Sequence, residues 1–142
     1  MPGQCIQHLC IANELYLAAM ANSLTGRQPA LVQEITPGWF GRWFIRRFVE
    51  PSSDIKRVPA PAKIRPARRV ALSVVDRFLS SNQACRELIV KARAKNVNGI
   101  RFRNPLVPGI RFTVGTGLQI IASHERRHLL QAQRVRDSAP FP

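Results

Sequence analysis

The chain of 142 residues contains three histidines, His8, His124 and His128, and the last two stand four apart. On a helix of 3.6 residues per turn that spacing stacks both imidazoles on one face, where two ring nitrogens can converge on a single ion. The spacing alone fits a chance pair of exposed or core histidines equally well. His8 is far away in sequence, in a segment with Leu9, Ala12 and Leu15. Antiparallel packing of that segment against the pair would bring His8 opposite it. Three neutral imidazoles leave coordination positions open for water or substrate, an arrangement that marks catalytic rather than purely structural sites. Because each ligand must be neutral, binding should weaken as pH falls through the histidine range.

The string His124-Glu125-Arg126-Arg127-His128 also matches HExxH, the zinc-peptidase pattern in which the glutamate is the general base. The remainder of that pattern is absent. Positions 131 and 134 are Gln and Arg, and no glutamate lies between 129 and 142 to act as a further ligand. Glu125 is also about 100° around the helix from His124, so it is not assigned as a base.

These residues need helices to position them. From Gln4 to Leu24, residues Ile6, Leu9, Asn13, Tyr16, Met20 and Leu24 recur at helical spacing, and Thr25-Gly26 supplies a stop. The connection from Arg27 to Pro66 holds six of the eleven prolines, which forbids long regular elements. Within it, Trp39, Phe40, Trp43, Phe44 and Phe48 alternate with Arg42, Arg46 and Arg47 as a short amphipathic helix. Such a helix suits a lid over the core, with a basic membrane-surface helix as the alternative. Pro59-Ala60-Pro61 should run extended. A second long helix is predicted from Ala67 to about Asn96, with Val70, Val74, Phe78, Cys85, Leu88, Ile89 and Ala92 on its inner side. Asn104-Pro105 and Pro108-Gly109 predict a loop over Ile100–Phe112, whose alternation would also suit a short hairpin. Thr113 is the expected N-cap of a last helix running from Val114 to about Val135.

Composition narrows the function. The formal charge is +14, from 22 Lys and Arg against 8 Asp and Glu. The basic residues are spread from Arg27 to Arg136, there is one Tyr, and both tryptophans fall in one segment. No series of basic residues and aromatics offers a base-stacking platform, so nucleic acid is not expected as the primary partner. The longest apolar run, Leu15–Ala21, is far short of the roughly 20 residues that span a bilayer. The first eight residues carry neither a basic n-region nor an apolar h-region, so a cytoplasmic location is expected. Cys5, Cys10 and Cys85 are odd in number and lack a CxxC pair, so they read as small buried residues without disulfides.

Pro2-Gly3-Gln4-Cys5-Ile6-Gln7-His8-Leu9 resembles the start of the second helix of the DinB-like (DinB/YfiT) superfamily of four-helix-bundle metalloproteins, with its single histidine. Leu118-Gln119-Ile120-Ile121-Ala122-Ser123-His124-Glu125-Arg126-Arg127-His128-Leu129-Leu130-Gln131 resembles that family's last helix, an HxxxH followed by Gln three residues later. The long middle helix, the proline-rich connection and Asn104-Pro105 also fit. The resemblance implies an all-α, up-and-down four-helix-bundle fold. Residues 1–137 would form the domain and 138–142 a short C-terminal tail. Family members carry a complete helix before the first histidine, so the bundle is expected to be N-terminally incomplete. The groove this leaves would be covered by the Trp39–Phe48 helix, by further residues, or by a second copy in a homodimer. The implied metal ligands are His8, His124 and His128, with a divalent ion such as zinc, nickel or iron. The implied activity is that of a thiol-using transferase or hydrolase acting on a small electrophilic substrate with a low-molecular-weight thiol. The alternative is a non-catalytic stress-associated or interaction protein with a structural or vacant metal site. Gln131, Arg126 and Arg127 border the histidine face, and the arginines read as a solvated helix side.

Overall fold

The computed structural model describes residues 2–32, 34–51 and 59–138. Helix α1 (Pro2–Leu24) is followed by α2 (Trp39–Phe44), which runs on into a π-helical turn (Ile45–Val49). A 3-10 turn (Ala62–Ile64) precedes α3 (Val74–Ala92), then come β1 (Arg101–Arg103), β2 (Arg111–Thr113) and α4 (Val114–Ser138). The fold is an all-α bundle type, with one small antiparallel hairpin as the sheet among the described residues. Among the described residues three α-helices are long and one is short. Of the tail expected at 138–142, only Ser138 is described, as the last residue of α4.

Proline in the first turn of α1 forfeits no hydrogen bond, because the N–H it lacks would have no intrahelical partner. Leu9, Asn13, Tyr16, Met20 and Leu24 are buried as the periodicity predicts, and Cys10, Ala12 and Leu17 widen the buried stripe. Gly26, at φ 69°, takes the left-handed conformation that turns the chain away after the helix. Helix α1 packs against both α3 and α4, whereas α3 and α4 make no extensive contact with each other. The result is an open layer with α1 in the middle. Leu79 and Val90 of α3 and Leu129 of α4 are left exposed.

Helix α3 begins at Val74, seven residues later than the periodicity suggests. Pro66 holds Arg65 extended, and the helix opens only after Ser73, whose side chain makes no capping hydrogen bond. Val74, Leu88 and Ala92 are buried as expected. Phe78 and Cys85 are only partly covered, Ile89 is exposed, and Ser81 takes the centre of the inner stripe. Its hydroxyl donates to the Phe78 carbonyl at 2.8 Å, which satisfies it inside the core.

The Ile100–Phe112 stretch forms the hairpin rather than a plain loop. Phe102 pairs with Phe112, and both rings turn inward while Arg101, Arg103 and Arg111 face out. The side chain of Asn104 accepts from the backbone N–H groups of Leu106 and Val107, and Gly109 at φ 82° completes the turn. Phe40 and Phe44 pack on Phe112 with ring centroids 5.8 and 5.0 Å apart, so α2 lies over the core as a lid. The Thr113 hydroxyl accepts from the Thr116 N–H at 3.1 Å, the N-cap expected for α4. A Cβ on Gly117 would lie 2.6 Å from Met20 Sδ and 2.7 Å from the Phe102 ring. Glycine there lets α4, α1 and the hairpin meet at van der Waals distance. Helices α1 and α4 then run antiparallel, and their other ends bring His8 to His124. No helix of the described residues is long and apolar enough to cross a membrane.

Candidate metal centre

His8 and the HxxxH pair, 116 residues apart in sequence, meet where α1 crosses α4. His8 Nε2 lies 3.1 Å from His124 Nε2, and His124 Nε2 lies 3.1 Å from His128 Nε2. All three ligand nitrogens fall within 4.8 Å of one another. His8 is buried, and the other two rings are partly so. The antiparallel packing expected from the sequence therefore places His8 opposite the pair.

The outer contact of His8 fixes its tautomer. Its Nδ1–H donates to the Ile64 carbonyl at 2.8 Å, so the lone pair of the neutral ring is on Nε2 and points at His124. With all three rings neutral, both 3.1 Å contacts cannot be hydrogen bonds. If His124 carries its proton on Nε2, that single proton can be given to His8 or to His128 but not fully to both. If it does not, it meets His8 lone pair to lone pair. A cation between the three nitrogens removes the conflict. Two nitrogens at 2.0–2.1 Å from a tetrahedral zinc are about 3.3 Å apart, close to the separations seen here. The residues thus fit a three-histidine centre in both donor type and spacing.

The protonation states suit a metal. Burial, then repulsion from His128, His8 and the Arg127 guanidinium, lowers His124 to about 3. Burial, with His8 and Arg127, lowers His128 to about 4, against an opposing contribution from Gln131. His8 is also lowered by burial, opposed by the Ile64 carbonyl. All three rings are neutral at pH 7 and do not compete with a metal through protonation until well below the ordinary histidine range. The pH window expected from the sequence is shifted acidward by desolvation.

Glu125 is occupied elsewhere. It accepts from Asn13 Nδ2 at 2.7 Å and tethers α4 to α1. Arg126 is exposed as expected, but Arg127 is partly buried. Arg127 donates to the Phe48 carbonyl at 2.9 Å and faces the histidines. Of the three cysteines, all free, only Cys10 is buried, while Cys5 and Cys85 are partly covered. Desolvation pushes the Cys10 and Cys85 thiols up, which keeps them protonated.

The three histidines, brought from two antiparallel helices of a helical bundle to one point, form a group that could hold a metal ion. The model of the DinB superfamily matches residues 2–132, and the chain belongs to that superfamily. No curated protein matches the chain, and no solved structure does.

Proposed function

We propose that His8, His124 and His128 hold a divalent ion, zinc, nickel or iron, and that the protein is a metal-dependent transferase or hydrolase that uses a low-molecular-weight thiol on a small electrophile. The observation that carries this reading is the pair of 3.1 Å Nε2 contacts, which neutral imidazoles cannot both satisfy with protons. A divalent ion on three neutral imidazoles supplies Lewis acidity that lowers the pKa of a coordinated thiol or water. The chain's own residues prepare the site. Ile64 holds the His8 ring in one tautomer, and burial keeps His124 and His128 unprotonated. Cys10 and Cys85, held as thiols, are poor nucleophiles, which supports a thiol supplied from outside the chain. The exposed apolar residues of α3 and α4 support a homodimer as the working state, which light scattering at micromolar concentration tests.

One observation favours a second reading, a non-catalytic protein with a structural metal. His8 is buried and the rings of His124 and His128 are only partly exposed, which restricts access of a substrate to the site. Incubation with a panel of low-molecular-weight thiols and a chromogenic chloronitrobenzene separates the readings. Turnover abolished by chelator and restored by metal supports the enzyme. Stoichiometric metal without turnover supports the structural centre.

A further inference from the structure

The segment Trp39–Val49 has five aromatics and three arginines, with no acidic residue among its eleven positions. The structure divides it into two faces. Phe40, Phe44, Ile45 and Val49 turn to the core, while Trp39 and Trp43 are 78% and 50% exposed and Phe48 is 40% exposed. Arg42, Arg46 and Arg47 stand among these rings, fully on the outside, and with Trp39 and Trp43 they line one shallow depression. None of the three is paired with a carboxylate among the described residues. Two indoles and three guanidinium groups therefore share one open surface, on a chain whose net charge is +14.

Exposed aromatics of this size mark an interaction surface, and the unbalanced charge says that the partner is anionic. Ring geometry distinguishes between anionic partners. The Trp43 ring stacks on Phe40 at 5.7 Å with planes 25° apart and meets Phe48 edge to face at 5.7 Å. Phe40 covers one of its faces and Phe48 abuts it, so the surface offers two indoles rather than a run of free rings for successive bases. Indoles presented beside guanidinium groups suit the headgroup level of a bilayer, where the ring sits in the apolar boundary and the arginine meets lipid phosphate. The Arg47 guanidinium lies 5.5 Å from the centroid of the Phe48 ring, which keeps charge and apolar surface at one depth. We infer that the Trp39–Val49 face docks the protein onto an anionic phospholipid surface, lying on it without spanning it.

The two tryptophans of the chain are both in this segment, so intrinsic fluorescence reports on it alone. With vesicles containing phosphatidylserine the emission should shift to the blue, and brominated lipid should quench it. Vesicles of pure phosphatidylcholine should do neither at the same concentration. Each surface charge near an anionic membrane is worth about fivefold in partitioning. The combined R42Q/R46Q/R47Q variant should therefore sediment with anionic vesicles about 100-fold more weakly. Three arginines removed from the hairpin, R101Q/R103Q/R111Q, serve as the control for diffuse charge and should change binding far less. Circular dichroism of both variants should match the parent. Absence of a blue shift on anionic vesicles overturns the inference. So does an equal loss in the two triple variants, or tighter binding to a single-stranded oligonucleotide than to vesicles.

Discussion

The two ends of the α1–α4 contact are built on opposite principles. At one end Gly117 lets Met20 and Phe102 close on the α4 backbone, with Met20 fully buried. At the other end three imidazoles meet nitrogen to nitrogen at 3.1 Å, and Asn13 reaches Glu125 across the helix pair. Asn13 Oδ1 and His128 Nδ1 are buried there without a partner. The first end is held mainly by packing, although Asn104 Nδ2 is buried beside it without a partner. The second sets Nε2 atoms against one another, which packing does not satisfy and a cation between them would. The packed end sets the register and stabilises the fold, while the other end gathers three neutral imidazoles in a fixed place where a cation could sit.

The largest effect should come from the packed end. Gly117→Val inserts a side chain where even a Cβ lies under 3 Å from Met20 and Phe102. A loss of about 3 kcal/mol is expected, read from the urea midpoint, with metal affinity falling because the helices no longer meet in register. A wild-type midpoint would show that the close approach is not what joins the helices.

Acid tests the histidine end. In the unfolded chain each histidine takes up a proton near pH 6.5, whereas folded His124 resists protonation until about 3 and His128 until about 4. The unfolded state then binds more protons, so metal-free stability is complete above about pH 6.5 and falls as pH drops toward these lower values. Between pH 6.5 and 5, His124 alone should account for about 2 kcal/mol of that loss. Denaturant unfolding of the metal-free protein across this range would measure it, and a flat profile would contradict the buried, neutral cluster.

Replacing His124 sharpens the same point. His124→Leu removes the ring that cannot satisfy both neighbours, so it should raise metal-free stability at pH 5 by about 1 kcal/mol or more while abolishing metal binding. Destabilisation at that pH would mean that the contacts between the rings are net favourable without a cation.

The smallest effect is expected at Glu125. Glu125→Gln keeps the contact to Asn13 but removes its charge, which should cost about 1 kcal/mol and leave metal affinity unchanged. A fall in affinity of tenfold or more would place Glu125 in the metal's surroundings and revive the HExxH reading.

The three ligand candidates were legible because histidine is rare in this chain and the pair stands at helical spacing. Their convergence was legible only as a consequence of antiparallel packing. The Ile64 carbonyl that fixes His8 was not legible, because a backbone acceptor leaves no signature in residue type. Arg127 read as a solvated charge because burial depends on where the Phe48 turn lies, 79 residues away in sequence. The late start of α3 escaped because apolar spacing runs on through Val70 and no capping side chain marks the start at Val74. The hairpin was masked by Pro105 and Pro108, which fall in its turn rather than in its strands. The pH window moved because desolvation is a property of the fold and not of spacing.

The central claim is that His8 completes one site with His124 and His128, and the direct measurement is metal content by mass spectrometry of protein purified without a histidine tag. One divalent ion per chain is expected, retained at pH 5.5 on dialysis. Affinity should also be at least about 100-fold lower in both His8→Ala and His128→Ala, with helical content unchanged. A His8→Ala variant that keeps its metal with wild-type affinity would contradict the three-histidine centre and leave only the pair on α4.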